Sequence, residues 1–358
     1  MTRIEVWAGG RLRELFGVDR PIVQGPFGGG YSSVALAAAV SNAGGLGSFG
    51  AHILGPDAIT ALVGELRAAT DRAFAVNLWV PHADDNGAGW TAADVDRLRP
   101  YLDELGVPAP TEQQAGPVFA EQVAALLAAG PPAISFVMGV PPADVVAEAR
   151  RRGIVTIGTA TTVAEAVAVE AAGLDVVVAS GSDAGGHRGA FLRPARESLV
   201  GTFSLVPQVA DAVSIPVVAA GGIADGRGIA AALTLGADGV QIGTGFLATA
   251  ESGASAVHKA ALGAPGNDVT VLTRLFSGRT ARAIANRFVR EMAEFEDVVP
   301  GYPVQNSLML PIRRAAGERG DPGLVNLWAG QAAPLTGPGT AAEYFAALVA
   351  EADRLLRT

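Results

Sequence analysis

Cysteine is absent from the 358-residue chain, which excludes disulfides, thiolate metal sites, iron–sulfur clusters and any mechanism with a cysteine nucleophile or acid. Clustered positive charge is also absent. The 26 Lys and Arg residues are scattered among 35 Asp and Glu residues, and the net charge is −9. This balance provides no basic patch for a nucleic-acid backbone, so we expect no nucleic-acid partner.

Long apolar runs are missing as well. Stretches such as IPVVAAGGIA (215–224) are short and interrupted by glycine, well below the ~20 residues needed to span a bilayer. The first 17 residues carry charges throughout and lack the apolar core and cleavage site of a signal peptide. We therefore expect a soluble, cytoplasmic protein without a membrane partner.

Histidine is scarce, with four in the chain. No HExxH pattern or other ligand spacing joins them, so we expect no metal site. His52, His82 and His258 are interpreted as structural residues. His187 is different, because it stands behind two glycines at the end of an apolar run, in the stretch SGSDAGGHRG (180–189).

The dominant pattern in the chain is an alternation of short β-branched runs with Ala-rich amphipathic stretches that end in glycine. The runs lack a polar residue at every second position, which is typical of strands buried on both faces. They lie at 21–24, 45–50, 72–78, 132–138, 153–158, 174–180, 215–222 and 237–243. Eight such units predict an α/β protein with a closed (β/α)8 fold, the TIM barrel.

Two irregularities in this alternation suggest the domain organisation. Residues 79–131, between the third and fourth runs, predict an excursion over the barrel mouth followed by a crossover helix. The alternation stops after residue 250. We therefore predict a cofactor-binding barrel at 1–250 and a smaller, mostly helical cap at 251–358, which contributes to the substrate site and ends in an amphipathic helix.

Glycine-rich segments follow the seventh and eighth predicted strands: AAGGIADG (219–226) and QIGTGF (241–246). Glycine lets backbone N–H groups approach an anion closely, and a helix N-terminus adds a favourable dipole. In β/α barrels these two strand ends commonly bind phosphate. The alternative is that the glycines only form tight turns, but their presence at both expected strands favours a phosphate site.

His187 follows the sixth strand and is expected at the same end of the barrel. Gly185 and Gly186 would let the backbone lie against a flat ligand, and a histidine is suited to proton transfer near neutral pH. The alternative is a loop histidine that hydrogen-bonds locally. Further polar side chains end predicted strands and serve either a ligand ring or the barrel itself: Gln24, Asn77 and Gln241.

These strand ends resemble the nitronate monooxygenase family, formerly called 2-nitropropane dioxygenases. The similar segments are PIVQGPFGGG, VNL, DAGGHRG, AAGGIADGRG and GVQIGTGFL, followed by FSGRTARAIANRFVRE, YPVQNSLMLPIRRAA and NLWAGQ. They cover nearly the whole chain. The resemblance implies an FMN-dependent oxidoreductase that converts alkyl nitronates, and by extension nitroalkanes, with O₂ into carbonyl compounds and nitrite.

The resemblance also implies roles for individual residues. His187 would be the catalytic base or the electrostatic partner of the nitronate oxygens. The implied FMN contacts are Gly25, Asn77, Ser180, Gly185, Gly222, Gln241, Ile242, Gly243 and Thr244. Two positions depart from the family pattern: Phe27 stands where many members have methionine, and Thr159 where some have lysine.

Because both departures touch the flavin or substrate environment, the sequence leaves alternatives open. One is an NAD(P)H-dependent FMN enoyl-thioester reductase, which shares the barrel and a Gly-Gly-His loop. Another is a natural-product tailoring flavoenzyme on the same scaffold. A non-enzymatic flavin-binding barrel is disfavoured, because His187 would then have no purpose. The sequence is also compatible with a homodimer.

Overall fold

The computed structural model describes residues 2–82, 89–113 and 116–357. Part of the excursion predicted at 79–131 therefore lies outside the described residues. The strands, in chain order, are β1 (Ile22–Gln24), β2 (Gly47–Gly50), β3 (Phe74–Trp79), β4 (Ala133–Val137), β5 (Val155–Ala160), β6 (Val176–Ser180), β7 (Gly186–His187), β8 (Val217–Ala220), β9 (Gly239–Ile242), β10 (Thr270–Thr273) and β11 (Ala281–Ile284).

Eight of these strands form one parallel sheet in the order β1-β9-β8-β6-β5-β4-β3-β2. A parallel bridge between Val23 and Leu46 joins the two outer strands and closes the sheet into a barrel. The predicted TIM barrel is therefore confirmed. Since all eight strands run in the same direction, their carboxyl ends meet at one mouth, where barrel enzymes place their active sites.

The helices cover the barrel wall and form much of the C-terminal region. They are α1 (Arg3–Trp7), α2 (Gly10–Phe16), α3 (Val34–Asn42), α4 (Pro56–Ala69), α5 (Ala92–Leu105), α6 (Phe119–Ala129), α7 (Ala143–Arg151), α8 (Val163–Ala171), α9 (Thr202–Ala212), α10 (Gly226–Thr234), α11 (Thr244–Leu247), α12 (Ala256–Leu262), α13 (Arg287–Glu291), α14 (Val304–Arg319) and α15 (Ala341–Leu356). None of those in the described ranges has the length and apolarity that crossing a membrane requires.

Helix packing on the barrel is close enough to require glycine at one strand position. A Cβ atom at Gly47 would lie 1.9 Å from the carbonyl oxygen of Ala37 in α3. The final helix, α15, also returns to the barrel, where Phe345 and Leu348 join the same buried core as the strands. The wall is therefore completed by a segment that lies far from the other barrel units in sequence.

A second, three-stranded antiparallel sheet has the order β10-β11-β7. In it, His187 is paired with Ala281 and Gly186 with Arg282. The loop after β6 is thus attached to the C-terminal region, whose apolar core around Phe276 also includes Leu98 and Leu102 of α5. The sequence did not predict this sheet, because its strands have at most four residues and lie outside the β/α alternation.

His258 links α12 to a loop of the C-terminal region. Its Nε2 lies 2.9 Å from the backbone oxygen of Trp328, and its ring meets that of Tyr31 edge-on with centroids 5.2 Å apart. A carbonyl oxygen only accepts, so Nε2 carries the proton and Nδ1 is the unprotonated nitrogen. Nδ1 is buried without a hydrogen-bond partner in the described chain, and burial lowers the pKa of His258 to about 4.

This depressed pKa predicts acid sensitivity. The unfolded state, with a histidine pKa of about 6.5, binds more protons than the folded state between the two values. The stability that the folded protein gains by keeping His258 neutral is therefore fully present above pH ~6.5. It declines as the pH falls toward 4, by up to about 1.4 kcal/mol per pH unit. We expect His258→Phe to be about 1 kcal/mol less stable near neutral pH, because a hydrogen bond is lost.

Below neutral pH, the gap between the wild type and His258→Phe should shrink or reverse, because only the wild type titrates at this position. Urea unfolding at several pH values between about 7.5 and 5 measures both curves. Two parallel curves would contradict this account of His258.

Candidate active site at the barrel mouth

His187 is held at the mouth by its pairing with β11 and by one side-chain contact. Its Nε2 lies 2.8 Å from Oγ of Ser277, and the Ser277 hydroxyl also lies 3.2 Å from the backbone oxygen of Arg279. The hydroxyl has a single hydrogen. When it donates that hydrogen to Arg279, the oxygen accepts from His187 Nε2–H, which leaves His187 Nδ1 as the unprotonated nitrogen.

Aromatic rings surround His187. Its ring centroid lies 4.9 Å from that of Trp79 and 5.2 Å from that of Trp328. His52 stacks in parallel on Trp79 at 3.9 Å, and the Tyr302 ring lies 5.6 Å from that of Trp79. We call these five residues the aromatic cluster. It combines side chains from the ends or loops of barrel strands with others from the C-terminal region, so the site lies between the two.

The electrostatic environment keeps both histidines of the cluster neutral. Burial, followed by the positive charge of Arg279, the neighbouring His52 and then Arg313, lowers the pKa of His187 to about 3. Burial and Arg279 lower the pKa of His52 to about 4. The guanidinium of Arg279 lies over the Tyr302 ring at 4.9 Å, a cation–π distance. The imidazoles therefore face positive charge while uncharged themselves.

Backbone donors converge at the ends of β8 and β9, which are neighbours in register at Ala220 and Gln241. Within residues 2–82, 89–113 and 116–357, the N–H groups of Gly221, Gly222 and Gly243 form no hydrogen bond with another protein group. Gly221 and Gly222 have φ angles of 110° and 69°, which favour glycine. Three such donors at adjacent strand ends are suited to an anion.

The helix that follows β8 does not offer its N-terminus to a ligand. Asp225 is the N-cap of α10, and its carboxylate accepts from the N–H groups of Arg227 and Gly228 at 3.0 and 3.2 Å. The sequence led us to expect that the dipole of this helix would favour a bound phosphate. The carboxylate of Asp225 already takes that place. The available donors at this strand end are those of the glycines.

The residues implied as FMN contacts occupy two sides of the mouth. Most of them lie around the adjacent ends of β1, β9, β8 and β6: Gly25, Ser180, Gly185, Gly222, Gln241, Ile242, Gly243 and Thr244. The N–H of Gly25 donates to the oxygen of Ile242 at 2.9 Å, which joins two of these segments. Asn77 lies on β3, where its Nδ2 donates to Ser135 Oγ at 3.0 Å.

The sequence left open whether Gln24 and Gln241 serve a ligand ring or the barrel itself. In the structure, Gln24 serves the barrel. It is fully buried, its Oε1 accepts from the N–H of Ser48 at 2.8 Å and its Nε2 donates to the oxygen of Gly25. Gln241 is half-buried, and its side chain forms no hydrogen bond within the described chain. Gln241 therefore retains polar atoms for a ligand.

Sequence reasoning missed most of the groups around His187. Trp79 could be placed at the barrel mouth from the sequence, because it ends the third strand, but its contact with His187 could not be predicted. The others were not recognised, because they come from the C-terminal region and no spacing joins them to His187: Ser277, Arg279, Tyr302, Arg313 and Trp328. His52 was interpreted as structural, yet it lies against Trp79 in the aromatic cluster.

Comparison with known proteins identifies the family of the chain. A family model described as "Nitronate monooxygenase" matches residues 10–351. A protein of Staphylococcus aureus (strain Newman) described as "Probable nitronate monooxygenase" is 40% identical over 335 residues, which cover 91% of this chain and 92% of the relative.

Two solved structures extend the comparison. The structure of a nitroalkane oxidase from Streptomyces ansochromogenes matches with a TM-score of 0.88 and 40% identity, over 97% of this chain and 98% of that one. A structure of FabK from Thermotoga maritima matches with a TM-score of 0.75 and 31% identity, over 97% of both chains. The resemblance found in the sequence is thereby confirmed: the chain belongs to the nitronate monooxygenase family and is an oxidoreductase.

Proposed function

We propose that this protein binds FMN and oxidises alkyl nitronates with O₂ to a carbonyl compound and nitrite. The observation that carries the proposal is a neutral His187, enclosed by aromatic rings, at the same barrel mouth as three backbone N–H groups without protein acceptors. The similarity to a nitroalkane oxidase supports the same class of reaction. The proposed substrates are small molecules and O₂, handled in the cytoplasm without a nucleic-acid or membrane partner.

The residues at the mouth fit FMN. Gly221, Gly222 and Gly243 offer N–H donors to its phosphate, and the half-buried Gln241 and the amide of Asn77 offer polar atoms to the edge of its ring. A Cβ atom at Gly25 would lie 3.2 Å from Cα of Gly243, so the loop after β1 lies directly against this segment. When bound, FMN supplies the electron transfer that oxidises the substrate and reduces O₂.

The charge environment of His187 favours a nitronate over a neutral nitroalkane. With a pKa of about 3, the imidazole is uncharged at neutral pH and donates or accepts a hydrogen bond. A nitronate is already an anion, and the positive Arg279 and Arg313 stabilise it in the site. For a neutral nitroalkane, His187 accepts the α-proton at Nδ1 while the same two cations stabilise the anion that forms.

Three measurements on the purified protein test the proposal. We expect a flavin absorbance spectrum, rapid O₂ uptake with propionate 3-nitronate or ethyl nitronate, and slower uptake with nitroethane. Anaerobic mixing with NADH or NADPH should leave the flavin oxidised on the timescale of turnover. Rapid bleaching by NAD(P)H without nitronate oxidation would instead favour the enoyl-thioester reductase, and a colourless protein that takes up no flavin would refute both.

His187→Ala tests the proton-accepting role. Loss of a general base should lower the rate with neutral nitroethane by about 10²–10⁴-fold. The rate with ethyl nitronate should fall much less, by about tenfold, because its α-proton is already gone. Bound FMN per chain, read from the visible spectrum, should stay near the wild-type value. Equal losses on the two substrates, or unchanged turnover per bound flavin, would contradict this role.

Gly222→Ala tests the anion site, with Gly29→Ala as a matched control. Both glycines are exposed and have similar positive φ angles, 69° and 67°, so alanine adds about 1–2 kcal/mol of backbone strain at each. A Cβ atom at Gly222 would also lie 3.3 Å from Cβ of Asp183, whereas one at Gly29 would meet nothing within 4 Å, so the control matches the backbone strain alone. Only Gly222 lies among the converging N–H groups. We expect Gly222→Ala to weaken FMN binding about tenfold, measured by flavin fluorescence on reconstitution, and Gly29→Ala to leave it unchanged. Equal effects of the two variants would argue against the site.

A further inference from the structure

The last helix of the chain, α15, packs directly against the two glycine-rich segments that follow β8 and β9. A Cβ atom at Gly226, which begins α10, would lie 2.6 Å from the backbone nitrogen of Ala352. A Cβ atom at Gly245, in α11, would overlap the hydroxyl oxygen of Tyr344. Glycine at these two positions therefore serves the close approach of α15.

Tyr344 contacts both segments with one side chain. Its hydroxyl donates to the backbone oxygen of Ala224 at 2.7 Å, and the same hydroxyl lies against Gly245. Its ring meets that of Phe246 edge-on, with centroids 5.1 Å apart. Burial, followed by the charge of Asp225, raises the pKa of Tyr344, so the phenol keeps its proton and acts as a donor. Tyr344 thus joins the segment after β8 to the segment after β9.

Two further hydrogen bonds hold α15 in this position. Near its end, Oε2 of Glu351 accepts from the N–H of Gly226 at 2.9 Å. At its start, the N–H of Ala341 donates to Oε2 of Glu251 at 2.8 Å, just beyond α11. The helix is therefore attached to the chain that follows both strand ends.

The separation of the two segments matters for the anion site. The N–H groups of Gly221, Gly222 and Gly243 must keep a fixed distance from one another to bind a single anion. The registered pairing of β8 with β9 ends at Ala220 and Gln241, before these groups are reached. Contacts outside the sheet therefore contribute to the separation, and a preorganised site binds more tightly than one that must be ordered on binding.

We propose that Tyr344 is a positioning residue for the flavin phosphate: its hydroxyl holds the segments after β8 and β9 at the separation that lets their N–H groups bind the phosphate together. This inference rests on the proposed function, because the phosphate is that of the proposed FMN. Coupling between two sites is reciprocal, so a bound phosphate also strengthens the docking of α15.

Tyr344→Phe tests the proposal, with Tyr101→Phe as a matched control. The Tyr101 hydroxyl donates to Oε2 of Glu291 at 3.0 Å, and its ring meets that of Phe288 edge-on at 5.1 Å. Tyr101 lies on α5, in the apolar core of the C-terminal region. We expect Tyr344→Phe to raise the Kd for FMN about fivefold, as the loss of one hydrogen bond does, and Tyr101→Phe to leave it unchanged. Flavin fluorescence on reconstitution measures both values.

Riboflavin, which has the same ring but no phosphate, separates positioning from general structural support. Tyr344→Phe should change the Kd for riboflavin less than twofold, because the ring does not use the phosphate donors. An equal rise in both Kd values would show a purely structural tyrosine and overturn the proposal, as would an unchanged Kd for FMN.

Hydrogen exchange in the wild type tests the reciprocal effect without a variant. Amides of α15 should exchange about fivefold more slowly in protein saturated with FMN than in protein saturated with riboflavin, whereas amides of α5 should exchange equally in the two. Equal exchange of α15 with both flavins would overturn the inference and leave the proposed function standing. A wild type that binds neither flavin would refute both.

Discussion

The site depends on the antiparallel pairing of two residues of the loop after β6 with β11. Through this contact His187 is placed opposite Ala281, and the turn before β11 brings Ser277 to hydrogen-bond distance of the imidazole. Other hydrogen bonds anchor the loop to the barrel: Ser182 N–H donates to the oxygen of Val200, and the Arg188 guanidinium donates to the oxygens of Ser180 and Gly181. The short strand pair adds the contact that joins the loop to the C-terminal region and makes it one wall of the site.

The electrostatics of the site follow from the same contact. The turn that supplies Ser277 also supplies Arg279, whose charge, together with burial, keeps His187 unprotonated. A histidine beside positive charges is a weak base for removing a proton from a neutral carbon acid. The same positive charges attract a substrate that arrives as an anion. The aromatic cluster adds a low-dielectric wall, in which the field of each guanidinium is screened less than in water.

Glycine N–H groups without protein acceptors and two arginines come from different parts of the described chain. Gly221, Gly222 and Gly243 lie at adjacent strand ends of the barrel, whereas Arg279 and Arg313 belong to the C-terminal region. The first group offers backbone dipoles, which suit an anion. The second carries formal positive charge, which, after burial, lowers the pKa of His187.

The barrel, its strand ends and the location of the His187 loop directly after β6 were determined by the sequence itself, because buried parallel strands and glycine-rich turns depend on residues close together in the chain. Trp79 could be placed at the mouth for the same reason. The partners of His187 were decided by the tertiary structure alone: Ser277, Arg279, Tyr302, Arg313 and Trp328 lie about 90 to 140 residues further along the chain. No local pattern records such contacts, since they arise only when the second sheet and α14 fold over the mouth.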